Sequence, residues 1–216
     1  MAAGVFGMFL LGAGGSLSHC GAMCGPLVVG QVTDRLSAVP AARLCEAHRM
    51  RAGLLLPYHA GRIVTYATLG AAAGAAGLAF VTVLSPLRTV LLLLAAMVLL
   101  ATSFGWRLPA NTRAFRWAGQ LNRTGAGGTF LFGMVLGLLP CGLLYAALIA
   151  ASALASPARG AAGMIAFGAG TVPLLAIIGI AGRARPFRLI FTRARPWLLA
   201  FNAIILVIAA VGGILI

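Results

Sequence analysis

Phe9-Leu10-x-Gly12-x4-Leu17-x2-Cys20-Gly21 is written a second time as Phe130-Leu131-x-Gly133-x4-Leu138-x2-Cys141-Gly142, 121 positions further on. Both copies lie in strongly apolar stretches. Each surrounds its cysteine with helix-breaking residues: Gly21, Gly25 and Pro26 at the first, Gly137, Pro140 and Gly142 at the second. Pro has no N–H to donate and clashes one turn back, so it kinks or ends a helix. A repeated apolar segment with a cysteine at its weak point predicts paired thiols, or a soft-metal site, where two halves of the molecule meet.

The surrounding composition decides the solvent. The chain has 216 residues, 62% hydrophobic and only 8% charged. Soluble domains carry about 25% charged residues, so this chain could not cover a soluble surface. Six spans are expected, at about 4–30, 57–81, 86–105, 127–153, 159–181 and 196–216, against the roughly 20 apolar residues that cross a bilayer. The first and fourth are longer than a straight span needs. Excess length plus a central breaker predicts helices broken at the cysteines, discontinuous or re-entrant. Such backbone is tolerated at membrane depth only when buried in protein or lining a cavity. One polytopic domain over 1–216 is expected, without an appended soluble domain. Residues 1–18 have a signal-peptide-like apolar core, but no Arg or Lys precedes it. The segment also has a twin later in the chain, so its retention is expected.

The net charge of +14 does not point to nucleic acid. All 16 basic residues are Arg, and they sit mostly between the apolar spans. One set of loops and flanks holds Arg35, Arg43, Arg49, Arg51 and Arg62, then Arg107, Arg113, Arg116 and Arg123, then Arg183, Arg185, Arg188, Arg193 and Arg195; the other side has Arg88 and Arg159. The rich side is cytoplasmic by the positive-inside rule. Six spans then put both termini outside a bacterial-type inner (plasma) membrane. The loop from Arg183 to Trp197 mixes Phe187, Leu189, Ile190 and Phe191 among its Arg residues, which suits the inner lipid interface.

The halves match beyond the opening motif. Tyr58-His59-Ala60-Gly61 to Leu69-Gly70 resembles Phe167-Gly168-Ala169-Gly170 to Ile178-Gly179 at an offset of 109. Repeat one covers about 1–105, a cytoplasmic linker about 106–126 and repeat two about 127–216. Three spans per half turn the second half upside down. An all-α integral membrane fold of six transmembrane helices in a 3+3 inverted-topology repeat is therefore expected, with its site near the midplane at the repeat interface. The 29 glycines predict close helix contacts.

His19-Cys20-Gly21-Ala22-Met23-Cys24-Gly25-Pro26 is the densest chemical cluster. Imidazole, thiol and thioether together suit Cu(I), while thiols alone suit redox exchange. Cys20 and Cys24 are four apart, on one helix face. A disulfide between them would need distorted backbone. If a two-fold axis relates the halves, Cys20 and Cys141 are symmetry mates, able to form a disulfide or share a metal. Against these readings, an isolated buried Cys is simply a small hydrophobe. Cys45, in Cys45-Glu46-Ala47-His48, reads as a free cytosolic thiol. His59 and Arg62 open the second span, either as an interfacial anchor that snorkels or as gate residues that meet substrate. In the fifth span Pro173 kinks the helix and Thr171 can bond the freed backbone, as a hinge or as a static kink. Asp34 and Glu46 are the only acidic residues, both in a loop. A carboxylate-based proton relay is therefore disfavoured. Neither a nucleotide-binding loop nor a haem-attachment Cys-x-x-Cys-His is present.

The three-plus-three repeat with a Cys in spans one and four resembles the transmembrane domain of cytochrome c biogenesis and thiol-disulfide interchange proteins of the DsbD/CcdA type. His19-Cys20-x2-Met23-Cys24-Gly25-Pro26, with Tyr58-His59-x-Gly61-Arg62, is similar to a UreH-like or sulfite exporter TauE/SafE-like branch. The resemblance implies a thiol-disulfide oxidoreductase that carries electrons from cytoplasmic thioredoxin to periplasmic acceptors. Cys20 and Cys141 would be its couple and Cys24 a resolving thiol, with no cofactor required. The family typically writes Pro-Cys at both sites, whereas here the first reads His19-Cys20. His19, Met23 and Cys24 therefore raise an alternative, a copper-like soft-metal transporter or chaperone with His19, Cys20, Met23, Cys24 and Cys141 as ligands. Its partner would be a metallochaperone instead of a thioredoxin-like or periplasmic thiol protein. Export of a sulfur oxyanion is a third option.

Overall fold

The structure is a computed structural model that describes residues 2–21, 24–37, 53–77, 125–139 and 141–182, with isolated positions at 50, 79, 90–101 and 184–208. Among the described residues all regular structure is helical. In chain order these are α1 (Ala2–Gly15), a π-helical turn (Ser16–Cys20), α2 (Gly25–Ser37), α3 (Leu56–Ala76), α4 (Ala126–Gly137), α5 (Gly142–Ser152) and α6 (Pro157–Ala181). The expected third and sixth spans fall on isolated described positions, helical where they are described, and the linker 106–126 lies almost wholly outside the described residues.

Local chemistry explains where the helices begin. α6 starts on Pro157 after an extended Ser156. Proline suits this first position, because its fixed φ is helical and its missing N–H would have no partner there. α3 has Pro57 in its first turn and enters through Leu55, whose φ of 46° lies in the left-handed region. That conformation costs an L-residue about 1–2 kcal/mol. Leu55 is fully buried, so side-chain packing offsets the strain.

α6 has 25 residues and is long and apolar enough to cross a membrane alone; α4 and α5 pass the same test as one span bent by 78°. α6 is a single helix through Pro173. The Thr171 hydroxyl donates to the Gly168 carbonyl at 2.8 Å, not to the Ala169 carbonyl that Pro173 leaves without its usual donor.

α3 and α6 pack along each other at the centre, α1 lies on α6 and α4 on α3, while α5 touches both central helices and α2 packs on α6. Glycines set these approaches. A Cβ on Gly12 would strike the Phe167 carbonyl oxygen, and one on Gly133 the Tyr58 carbonyl oxygen. A Cβ on Gly170 would strike Phe9 and Ala13 backbone, and one on Gly61 Phe130 and Met134 backbone. Each α1–α6 contact thus has a counterpart in the α4–α3 contact, at the same offsets of 121 and 109 read in the sequence. Between the central helices, Gly70 faces Gly160 and Gly53 faces Gly179 with no room for a methyl group.

The repeated motif acquires a physical meaning here. Its glycines, Gly12 and Gly133, are buried against a neighbouring helix. Its leucines point outward: Leu10, Leu17, Leu131 and Leu138 are all exposed, as are Phe6, Val135, Ile165 and Ile177. So much exposed apolar surface would be a liability in water. In a bilayer it is the lipid-facing coat.

Candidate functional site

The two cysteine segments reach the core by different backbones. At the first, the Gly21 N–H donates to the Ser16 carbonyl five residues back, which widens the helix by one residue per turn. The Ser16 hydroxyl donates to the Ala13 carbonyl at 2.8 Å. Helical bonds then continue, from Cys24 N–H to Cys20 C=O at 2.8 Å and from Val28 N–H to Cys24 C=O at 3.0 Å. At the first cysteine, where a break is expected, the described residues show a widened turn with helical bonds on either side of residues 22 and 23, which lie outside the described residues. No proline precedes Cys20, and Pro26 falls in the first turn of α2, where a missing N–H does least harm. Single π-turns of this kind are frequent at functional sites.

At the second segment the chain leaves the helix. Cys141 is extended, with φ −127° and ψ 151°, and caps α5; its sulfur accepts the Leu144 N–H at 3.3 Å. The first-turn N–H groups of a helix have no intrahelical acceptor, and the end they mark favours negative charge. Cys141 therefore sits at the N-terminus of α5 with a backbone N–H on its sulfur.

Cys20 is 4% exposed and belongs to a buried cluster with Val28, Val32, Leu55, Tyr58 and Leu175, against which Cys24 packs. Cys141 packs against the neighbouring cluster that contains Tyr66, Leu144 and Phe167. Leu143 touches both clusters. All three cysteines are free thiols.

Arg62 lies between the clusters. It is 3% exposed, and its Nη2 donates to the Tyr66 hydroxyl at 2.7 Å. Its guanidinium carbon is 5.6 Å from the Tyr58 ring centroid and 5.4 Å from that of Tyr66. Tyr58, Arg62 and Tyr66 are spaced by four, so one face of α3 carries all three. Arg62 interacts electrostatically with Cys20, Cys24 and Cys141, and the thiols interact with one another. The His59 ring meets the Tyr58 ring edge-on at 5.2 Å. Arg62 Nη1, the Tyr58 hydroxyl and both His59 ring nitrogens are buried without a hydrogen-bond partner among the described residues. Buried polar groups of this kind are normally satisfied, which makes this cluster the candidate site.

The structure thus buries Cys20, His59 and Arg62 and packs the partly buried Cys24 and Cys141 against the same clusters. Arg62 is no snorkelling anchor: tyrosines hold its head group inside. The tyrosine partners were legible only as a period-four pattern around Arg62. Thr171 is buried on α6, while the nearby Pro173 faces outward. His19 lies in the π-turn with its side chain outside the described residues, and Met23 is outside them altogether. Among the described residues, no three His, Cys, Asp or Glu side chains form a metal-holding group.

The profile of the cytochrome c biogenesis protein transmembrane region matches residues 7–212. The chain belongs to this family. The match runs through all six expected spans and both cysteine motifs. Membership makes the chain a membrane protein, and the outward leucines of both motif copies fit that environment. No curated protein matches the chain, and no solved structure matches it.

Proposed function

We propose that this protein is a membrane thiol-disulfide relay that exchanges electrons between a cytoplasmic thioredoxin-like protein and a thiol protein outside the inner membrane. The observation that carries the reading is three free thiols, Cys20 buried and Cys24 and Cys141 partly buried, in two adjoining clusters joined by Leu143 with Arg62 between them. A thiolate attacks one sulfur of a partner disulfide. The S–S bond breaks, its electron pair leaves on the other sulfur, and a mixed disulfide forms. A second thiol of the trio loses its proton and resolves the mixed disulfide. The partner leaves with two reduced sulfurs, and this chain holds the disulfide. Reversal with the second partner completes the relay. Cys20 and Cys141 are the couple, with Cys24 as resolving thiol.

A 3+3 inverted-topology repeat underlies the relay in this proposal, within one domain and with both termini outside. The paired glycine contacts at matching offsets support it. So does the hydrogen bond from the Arg35 guanidinium, late in α2, to the Thr129 hydroxyl, early in α4. The first segment ends beside the start of the fourth, as antiparallel copies require.

The test is capture of the intermediate. Full-length protein is expressed in a bacterial membrane and thiol exchange is quenched with acid. The expected product is a mixed disulfide with a thioredoxin-like protein, absent from Cys20→Ser and Cys141→Ser and retained in His19→Ala and Met23→Leu. The soft-metal alternative rests on the proximity of His19 and Met23 to Cys20 and Cys24 in the chain. It predicts stoichiometric Cu(I) binding that needs His19 and Met23, with no trapped partner. A fixed guanidinium beside the thiols opposes a cation there, which is why the relay is preferred. Sulfur-oxyanion export remains a third reading, supported by the unpartnered Nη1 of Arg62.

A further inference from the structure

Arg62 poses an electrostatic problem that the relay does not by itself explain. A charged group held in an apolar interior is expensive unless it is paired. The usual partner is a carboxylate. The chain has two: Asp34, expected in a loop, lies in the last turn of α2, ten residues beyond Cys24, and Glu46 lies outside the described residues. Tyr66 is a neutral partner to one nitrogen, and Nη1 has none among the described residues. The rings of Tyr58 and Tyr66 contribute cation–π attraction, worth roughly 2 kcal/mol when desolvated. That does not balance a full charge. Membrane-embedded ionisable residues are functional by default, and they face a partner or a pathway.

Among the described side chains, the candidates for the balancing charge are the sulfurs. Tyr58 ties Arg62 to the cluster that holds Cys20 and receives Cys24. Tyr66 ties it to the cluster against which Cys141 packs. Thiol-disulfide exchange generates sulfur anions twice, on the attacking thiol and on the leaving sulfur. In apolar surroundings both are costly. Cys141 has the helix α5 N-terminus beside it. Cys20, within a bonded helical path, has no such backbone support.

We infer that Arg62, oriented by Tyr66 and flanked by Tyr58, is the charge-compensating residue for the sulfur anion that forms among Cys20, Cys24 and Cys141 during disulfide exchange. The inference rests on the relay reading for its biological use. Its chemistry needs only thiols and a disulfide. With a small neutral disulfide as oxidant, a thiolate of the trio attacks one sulfur, the S–S bond breaks and the electron pair leaves on the departing sulfur. A second thiol then displaces the bound half, losing a proton. Two reduced small thiols are released and one protein disulfide forms. Arg62 faces each anion in turn and is unchanged at the end.

The experiment uses the full chain with Cys45→Ser, reduced and held in mild detergent. The probe is 4,4′-dithiodipyridine, and release of thiopyridone is followed by absorbance. Arg62→Gln is expected to slow release by roughly tenfold to a hundredfold, the worth of a charge-assisted hydrogen bond. Arg62→Lys keeps the charge and is expected to recover most of that loss. Tyr66→Phe keeps the charge but frees its orientation, with an expected slowing of roughly threefold to tenfold. Equal rates for Arg62→Gln and the parent overturn the inference, as does Arg62→Lys no faster than Arg62→Gln. If Arg62→Gln is not monodisperse by size exclusion, Tyr66→Phe at the parental rate overturns it alone. The probe is not a protein, so the outcomes separate. A slow Arg62→Gln with no trapped cellular partner removes the relay and keeps Arg62 as compensator. A trapped partner with an unslowed Arg62→Gln does the reverse.

Discussion

Cys20 and Cys141 occupy the same position of one repeated motif, yet the chain handles them in opposite ways. At Cys20 the backbone stays helical through a π-turn, and the thiol is buried in an apolar cluster. At Cys141 the chain is extended, two helices meet at 78°, and the sulfur accepts a backbone N–H. One sequence difference accompanies this contrast. Pro140 precedes Cys141 where His19 precedes Cys20. A proline pushes the residue before it out of helical conformation and cannot donate in turn. A histidine does neither. Two thiols at one motif position thus share the Arg62 guanidinium, and Cys141 alone has a helix N-terminus beside it as well.

The largest effect expected from breaking this contrast comes from His19→Pro. Proline inside the bonded path would remove a backbone hydrogen bond and clash with the preceding turn, at a cost of about 3 kcal/mol. Pro140→Ala, in the stretch between α4 and α5, should change stability far less. Thermal denaturation in detergent, followed by circular dichroism, measures both. Equal losses would mean that the two segments are built alike.

A smaller effect tests the likeness that surrounds the contrast. Gly12→Ala and Gly133→Ala each place a methyl group on a neighbouring carbonyl oxygen. Overpacking of this kind costs about 1–3 kcal/mol. The two losses should agree within the error of the same melting experiment. A loss at one position only would undo the paired packing of α1 on α6 and α4 on α3.

The smallest effect sharpens the role of Cys141 as a cap. Cys141→Ser keeps an acceptor for the Leu144 N–H, whereas Cys141→Ala removes it. Alanine is expected to be less stable than serine by about 1 kcal/mol or less. At Cys20, where no cap exists, serine should hold no such advantage over alanine. Equilibrium denaturation of the four variants decides the matter, and a serine advantage at both positions would erase the distinction.

Much of this molecule is written in local chemistry. Apolar runs with almost no charge determine that the chain is helical and lies in a membrane, because a bilayer core leaves every backbone group to be satisfied within the segment. Spacing determines that Cys20 and Cys141 are twins, and that Gly12 and Gly133 are too. It also places Tyr58, Arg62 and Tyr66 on one helix face, since a period of four is a property of the helix alone. Which way that face turns is another matter. Read along the chain, Arg62 near the start of a span is equally an interfacial anchor and an interior charge, because a long side chain can reach either way. Only the docking of α3 between α4 and α6 buries it against the tyrosines and the thiols. The cysteines divide the same way. That Pro140 precedes one and His19 the other is written in the sequence. That both sulfurs end against the clusters on either side of Arg62 is decided only by the docking of helices, because those contacts join residues far apart in the chain.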